Sequence, residues 1–103
     1  MPTYIIAYRG TTEPETPEAG AEGRAKWQAW LAGLGDAVVN PGTPLKPSKT
    51  VTGDTVTDTD DGSRLNGFTM ITADSLEAAV AAARACPYLE MGAIEVAEVV
   101  EMG

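Results

Sequence analysis

A chain of 103 residues, 44% of them hydrophobic, has the size of one domain that can build a core while burying a limited share of its surface. Seven Lys and Arg stand against fifteen Asp and Glu, a formal net charge of −8. That balance excludes the basic stripe nucleic acid requires and disfavours an anionic membrane surface. Cys86 is the single cysteine and there is no histidine, so neither a disulfide, a metal site nor a cofactor is expected.

Thr3 to Arg9 is a β-branched and aromatic run ending at Gly10, which predicts a strand. Its faces, Tyr4, Ile6 and Tyr8 on one and Ile5 and Ala7 on the other, are both apolar, so both should be covered. The opening has no basic region before its apolar stretch, and no run is long enough to span a bilayer. A cytoplasmic location is the expectation.

Residues 10–21, rich in Pro, Glu and Gly, read as a mobile loop. Within it Thr16, Pro17 and Glu18 have the form of a helix start, which Gly20 and Gly23 weaken. From Arg24 the helix is clear: Trp27, Trp30, Leu31 and Leu34 share one face, and Gly35 stops it. Ala37 to Asn40 predicts a short strand turned by Pro41-Gly42.

Residues 41–66 form a Pro-rich excursion. In it Thr50-Val51-Thr52 mirrors Thr55-Val56-Thr57 about Gly53-Asp54, a hairpin with a type II′ turn, and a second turn falls at Asp60-Asp61-Gly62. Gly67 to Ala73 is the next strand. Asp74 and Glu77 then resemble a capping box for an alanine-rich helix with a buried stripe of Leu76, Ala79, Val80 and Ala83, ended by Pro87. Ala93 to Met102 is the last strand, with Ile94, Val96, Val100 and Met102 on one face.

The order is strand, helix, strand, hairpin, strand, helix, strand: an α+β chain with the split βαβ halves of a ferredoxin-like fold, β-α-β-β-α-β plus an inserted hairpin. Two helices cover one face of a four-stranded sheet. The apolar opposite face calls for a second copy of the chain, or for the 41–66 excursion folded across it.

Residues 67–102, GFTMITADSLEAAVAAARACPYLEMGAIEVAEVVEM, resemble the C-terminal signature of YCII-related proteins: an acidic turn, an Ala-rich helix closing in Cys-Pro, a Gly turn and a Glu-Val strand. The middle, LGDAVVNPGTPLKPSKTV, is similar to a branch of that family with a Gly-Asp turn and a Pro-Ser-Lys-Thr stretch. The resemblance implies one YCII-like domain over residues 1–103 and a face-to-face dimeric α+β barrel. It also implies a small-molecule cleft near the dimer interface, where relatives are proposed to use a His and an Asp. After Cys-Pro, where relatives usually carry His, this chain has Tyr88, so no His–Asp pair is carried over.

Candidate site residues are weighed on their own chemistry. Cys86 sits at a helix C-terminus, where the dipole disfavours a thiolate, and reads as a packing thiol. Tyr88 suits either hydrogen-bond donation to a ligand or simple packing. Asp36, after Gly35, is a possible base or a solvated turn residue. Ser48 and Lys49 border the supposed cleft and suit an anionic group. Trp27 and Trp30 fit core packing, with one of them able to line a pocket. Glu98 interrupts the apolar face of the last strand and marks a bulge or a polar pocket. Asp54, Asp58, Asp60 and Asp61 do not have calcium-loop spacing before Gly62.

The leading expectation is a small-ligand-binding homodimer. The alternative is a small-molecule enzyme of lyase or isomerase type, with Asp36 or Glu98 as base and Tyr88 as donor. A purely structural partner of a larger assembly is the third reading.

Overall fold

The computed structural model describes residues 1–10, 16–46, 48–59, 64–90 and 92–100. Four strands make one antiparallel sheet: β1 (Thr3–Arg9), β2 (Val38–Asn40), β5 (Leu65–Thr72) and β6 (Ala93–Glu98). Their order is β2-β5-β1-β6. Helix α1 (Pro17–Leu34) joins β1 to β2 around the intervening β5, and α2 (Leu76–Arg84) joins β5 to β6 around β1. These are two interlocked split βαβ units, so the α+β, ferredoxin-like reading holds.

Alternation along β1 sets the core. Tyr4, Ile6 and Tyr8 point to the helices and are buried, opposite Ile71, Thr69 and Gly67 of β5 in register. Ile94 and Val96 of β6 extend the same face. Helix α2 meets the sheet through Ala79 and Ala83, whose small side chains let the helix approach closely. On the opposite face Ile5, Ala7, Phe68 and Met70 are paired across β1 and β5 and remain partly exposed.

The inserted hairpin, β3 (Lys49–Thr52) and β4 (Thr55–Asp58), has the expected register, Thr50↔Thr57, Val51↔Val56 and Thr52↔Thr55. Gly53 has φ +57° and Asp54 after it is not among the residues of positive φ, which fits a type II′ turn rather than type I′. All eight strand residues are exposed, so the hairpin does not fold over the open sheet face.

Several boundaries differ from the sequence reading. Helix α1 begins at Pro17, so residues 17–21 of the expected 10–21 loop are helical. The Thr16 hydroxyl accepts the Ala19 N–H at 3.0 Å, and this cap outweighs the two glycines. Ala37 belongs to a 3-10 turn, Gly35–Ala37, rather than to β2. The cap of α2 is Ser75, not Asp74: its Oγ accepts the Ala78 N–H at 3.1 Å, which leaves Glu77 in the second helical position and no capping box. Leu76 and Val80 of the expected buried stripe are exposed, because α2 rests on its alanines. The last strand ends at Glu98 and Val100 is exposed. The turn at 60–62, residues 11–15 of the loop, and Glu101 and Met102 lie outside the described residues. Among the described residues no helix is long and apolar enough to cross a membrane.

The cap assignment is testable by urea unfolding. Ser75→Ala should cost about 1 kcal/mol of stability, whereas Asp74→Ala should stay within about 0.5 kcal/mol of the parent. The reverse order would restore Asp74 as the cap.

Candidate functional site

A cavity of about 320 Å³ opens where the first half of α1, the loop around Thr43 and Pro44, the start of β5 and a 3-10 turn (Pro87–Glu90) converge. Its space comes from missing side chains. Ala19, Gly20 and Gly23 line it from α1, and a Cβ added at Gly23 would meet nothing within 4 Å. A glycine inside a helix costs about 1 kcal/mol relative to alanine, so this room is held against helix stability.

Aromatic residues form the walls. Trp27, Tyr8, Phe68 and Tyr88 all line the cavity. The Tyr8 and Tyr88 rings lie 5.0 Å apart at 48°, a tilted pair.

The two phenol hydroxyls are fully engaged. Thr69 Oγ1 donates to the Pro41 carbonyl at 3.0 Å, so the 2.6 Å bond between Tyr8 and Thr69 has Tyr8 as donor. Trp27 Nε1 donates to the Tyr8 oxygen at 3.1 Å. The result is a one-way chain from indole to phenol to hydroxyl to carbonyl. Tyr88 donates to the carbonyls of Arg9 and Gly10, at 3.1 and 3.2 Å, and accepts from Asn66 Nδ2 at 2.7 Å. Gly92 makes this seat possible: a Cβ there would lie 2.3 Å from the Arg9 carbonyl oxygen and 3.1 Å from the Tyr88 ring.

Burial pushes all these acids up. Tyr8 is raised by desolvation, against its hydrogen bonds with Thr69 and Trp27. Tyr88 is raised by desolvation too, against the Asn66 bond and the Arg64 charge. Cys86, buried beneath them, is likewise raised by desolvation, which makes it a poor nucleophile.

Of the residues singled out from sequence, Tyr88 and Trp27 meet at this cavity. Asp36 is exposed in the Gly35–Ala37 turn and does not line it. Ser48 and Lys49 lie at the base of the hairpin, where the Lys49 ammonium pairs with Asp58. Glu98 is on the inner sheet face, as its parity suggested, but it is exposed and does not line this cavity. It sits opposite Tyr4, where its negative charge adds to the burial that raises the Tyr4 phenol. Trp30 points its indole N–H to the Ala82 carbonyl at 3.0 Å and ties α1 to α2.

Sequence reasoning passed over Tyr8, Asn66 and Arg24, which also line the cavity. Gly20 and Gly23 carried a usable signal, since two glycines three residues apart on one helix leave room along that side of it.

A YCII-related domain model matches residues 1–103. The chain belongs to the YCII-related family. No curated protein matches it. Among solved structures, this YCII-related chain is similar to 5-chloro-2-hydroxyhydroquinone dehydrochlorinase (TftG) from Burkholderia phenoliruptrix AC1100, in complex with 2,5-dihydroxybenzoquinone. The TM-score is 0.62 at 18% identity, over 98% of this chain and 95% of that one, which supports a shared fold.

The raised acids have a pH signature. The chain's three tyrosines all bind their protons more tightly when folded, and so does Cys86. The unfolded chain therefore ionises first, so stability should hold below about pH 9 and fall as pH rises through about 10 and above. Urea midpoints and tyrosinate absorbance measured together check this. Tyrosinate appearing near the ordinary phenol value with unchanged stability would contradict the buried seats.

Proposed function

We propose that this chain is a binding module for a small, planar, ring-shaped molecule, working as a homodimer with the cavity beside the dimer interface. The observation that carries the reading is that the cavity offers shape and aromatic surface but no free acid or base. Both tyrosine protons are committed to protein acceptors. The carboxylate on its rim, Glu90, stands 3.9 Å from the Lys26 ammonium. A cavity of roughly 150 Å³ accommodates benzene, so about 320 Å³ suits one substituted ring.

Support for the dimer comes from the open sheet face. Ile5, Ala7, Phe68 and Met70 form an apolar surface there, and the hairpin leaves it uncovered. Phe68 belongs both to that face and to the cavity wall, so a second copy packed on the sheet would abut the ligand site.

One observation favours the enzyme reading. The structural neighbour is a dehydrochlorinase holding a ring compound. Against it, the carboxylates it would use, Asp36 and Glu98, lie outside the cavity.

Two measurements test the proposal. Gly23→Leu, whose Cβ would meet nothing within 4 Å and whose side chain would take up room in the cavity, should abolish the shifts that single-ring compounds induce in the Trp27 indole N–H signal while the chain stays folded. A ring compound that the parent converts and Gly23→Leu does not would replace binding by catalysis. For the assembly, light scattering should give twice 10.7 kDa, and Met70→Glu should lower it to one copy. A monomeric parent would remove the dimer.

A further inference from the structure

We infer that the ring compound carries a single delocalised negative charge, a carboxylate or similar oxyanion, and that Arg24 on the cavity rim selects it. This deepens the ring-binding reading and rests on it.

The inference starts from an imbalance. The chain is strongly acidic at −8, yet among the described residues only Arg9, Lys26 and Lys49 of its seven cations have an acidic partner, and Arg24, Lys46, Arg64 and Arg84 have none. Arg24 lines the cavity, and among the described residues no acidic side chain pairs with it. It lies one residue past Gly23, at the open end of the space that the α1 glycines leave. A guanidinium presents a planar fork that matches a carboxylate in two parallel hydrogen bonds, so a ring lying against Trp27 and Tyr88 could place its charged group on Arg24.

The other polar groups on the rim fit one anionic substituent. Glu90 would repel an anion, and its Lys26 partner offsets that charge. Gln28 brings an amide, and Asn66 keeps its amide oxygen beyond the bond to Tyr88. The lining of the deep wall includes no cation: its tyrosines are neutral, their protons point into the protein, and Arg64, whose charge is felt at Tyr88, does not line the cavity. A ligand with charge at both ends would bury one of them unpaired, which the aromatic floor penalises. One charge outward and the ring inward is the arrangement these walls accept.

The net charge sharpens the argument. An acidic surface repels anions in general, so without a local cation this cavity would prefer neutral rings. Arg24 should therefore decide the sign of the selectivity.

The test uses benzoate and its neutral isostere benzamide, titrated into the full chain and read from the Trp27 indole N–H signal, which Trp30→Phe distinguishes from that of Trp30. Benzoate should bind roughly fivefold or more tightly than benzamide. In Arg24→Gln, a substitution at an exposed helical position that keeps the fold, benzoate should weaken by about that factor, leaving benzamide nearly unchanged and now equal or preferred. Equal binding of the two by the parent overturns the inference while sparing the ring-binding reading, and so does an Arg24→Gln variant that retains benzoate. If benzamide, benzoate and toluene all leave the Trp27 signal unmoved, the ring-binding reading falls and the inference falls with it.

Discussion

The Tyr8 hydroxyl is the joint on which the molecule turns. It takes the indole proton of Trp27 from α1 and passes its own to Thr69 of β5, which in turn holds the Pro41 carbonyl behind β2. Four pieces of chain distant in sequence meet at one phenol. Each bond is worth about 1 kcal/mol net, less than a buried aliphatic side chain such as Ile6 contributes. Their importance is directional. Once the Thr69 proton points at Pro41, every other proton in the chain has only one way to point, and Trp27 is held against the sheet instead of swinging free. A second phenol, Tyr88, repeats the device on the carbonyls of Arg9 and Gly10, and the two rings pack as a tilted pair between the seats.

The cavity follows from that joint together with what α1 lacks. Rigid aromatics stand on one side, and opposite them a helix carries alanine and glycine where a core helix would carry leucine. Had Gly23 been leucine, the same fold would close on itself. The sacrifice of helix propensity and the locked aromatic wall are two halves of one arrangement. Either alone would give a filled core or a soft one.

How much of this could be seen in the sequence depended on the range of the physics involved. The strand alternation of Tyr4, Ile6 and Tyr8, the hairpin mirrored about Gly53-Asp54 and the helical spacing of the tryptophans are local patterns, and each led to the right element. The cap of α2 was misplaced by one residue because Asp74 and Ser75 are both good caps; the backbone at Ser75, extended at φ −158° and ψ 167°, decides between them. The site was less legible. Tyr88 and Trp27 were found through family resemblance and size, whereas Tyr8 and Asn66 become site residues only through pairings 61 and 22 positions apart. Asp36 is exposed and does not line this cavity, and only the end of α1 fixes where its turn faces. Glu98, read from the sequence as marking a bulge or a polar pocket, is exposed at the end of β6, opposite Tyr4 on the neighbouring strand.

The alternation that buries one side of β5 has a consequence for the other. Thr69 faces the helices and closes the phenol chain, while Phe68 and Met70, its neighbours, face outward. Phe68 nonetheless reaches the cavity rim, so one residue belongs to the ligand site and to the surface on which a second copy would pack. Burial of that ring by a partner would fix its rotamer and deny water one wall of the cavity. Ligand contact would in turn remove apolar surface that a monomer leaves wet. By linkage, whatever binding of the ring compound gains from assembly, assembly gains from binding, in equal free energy. That coupling would run through Phe68, which lines the cavity and is also paired with Ala7 on the open sheet face.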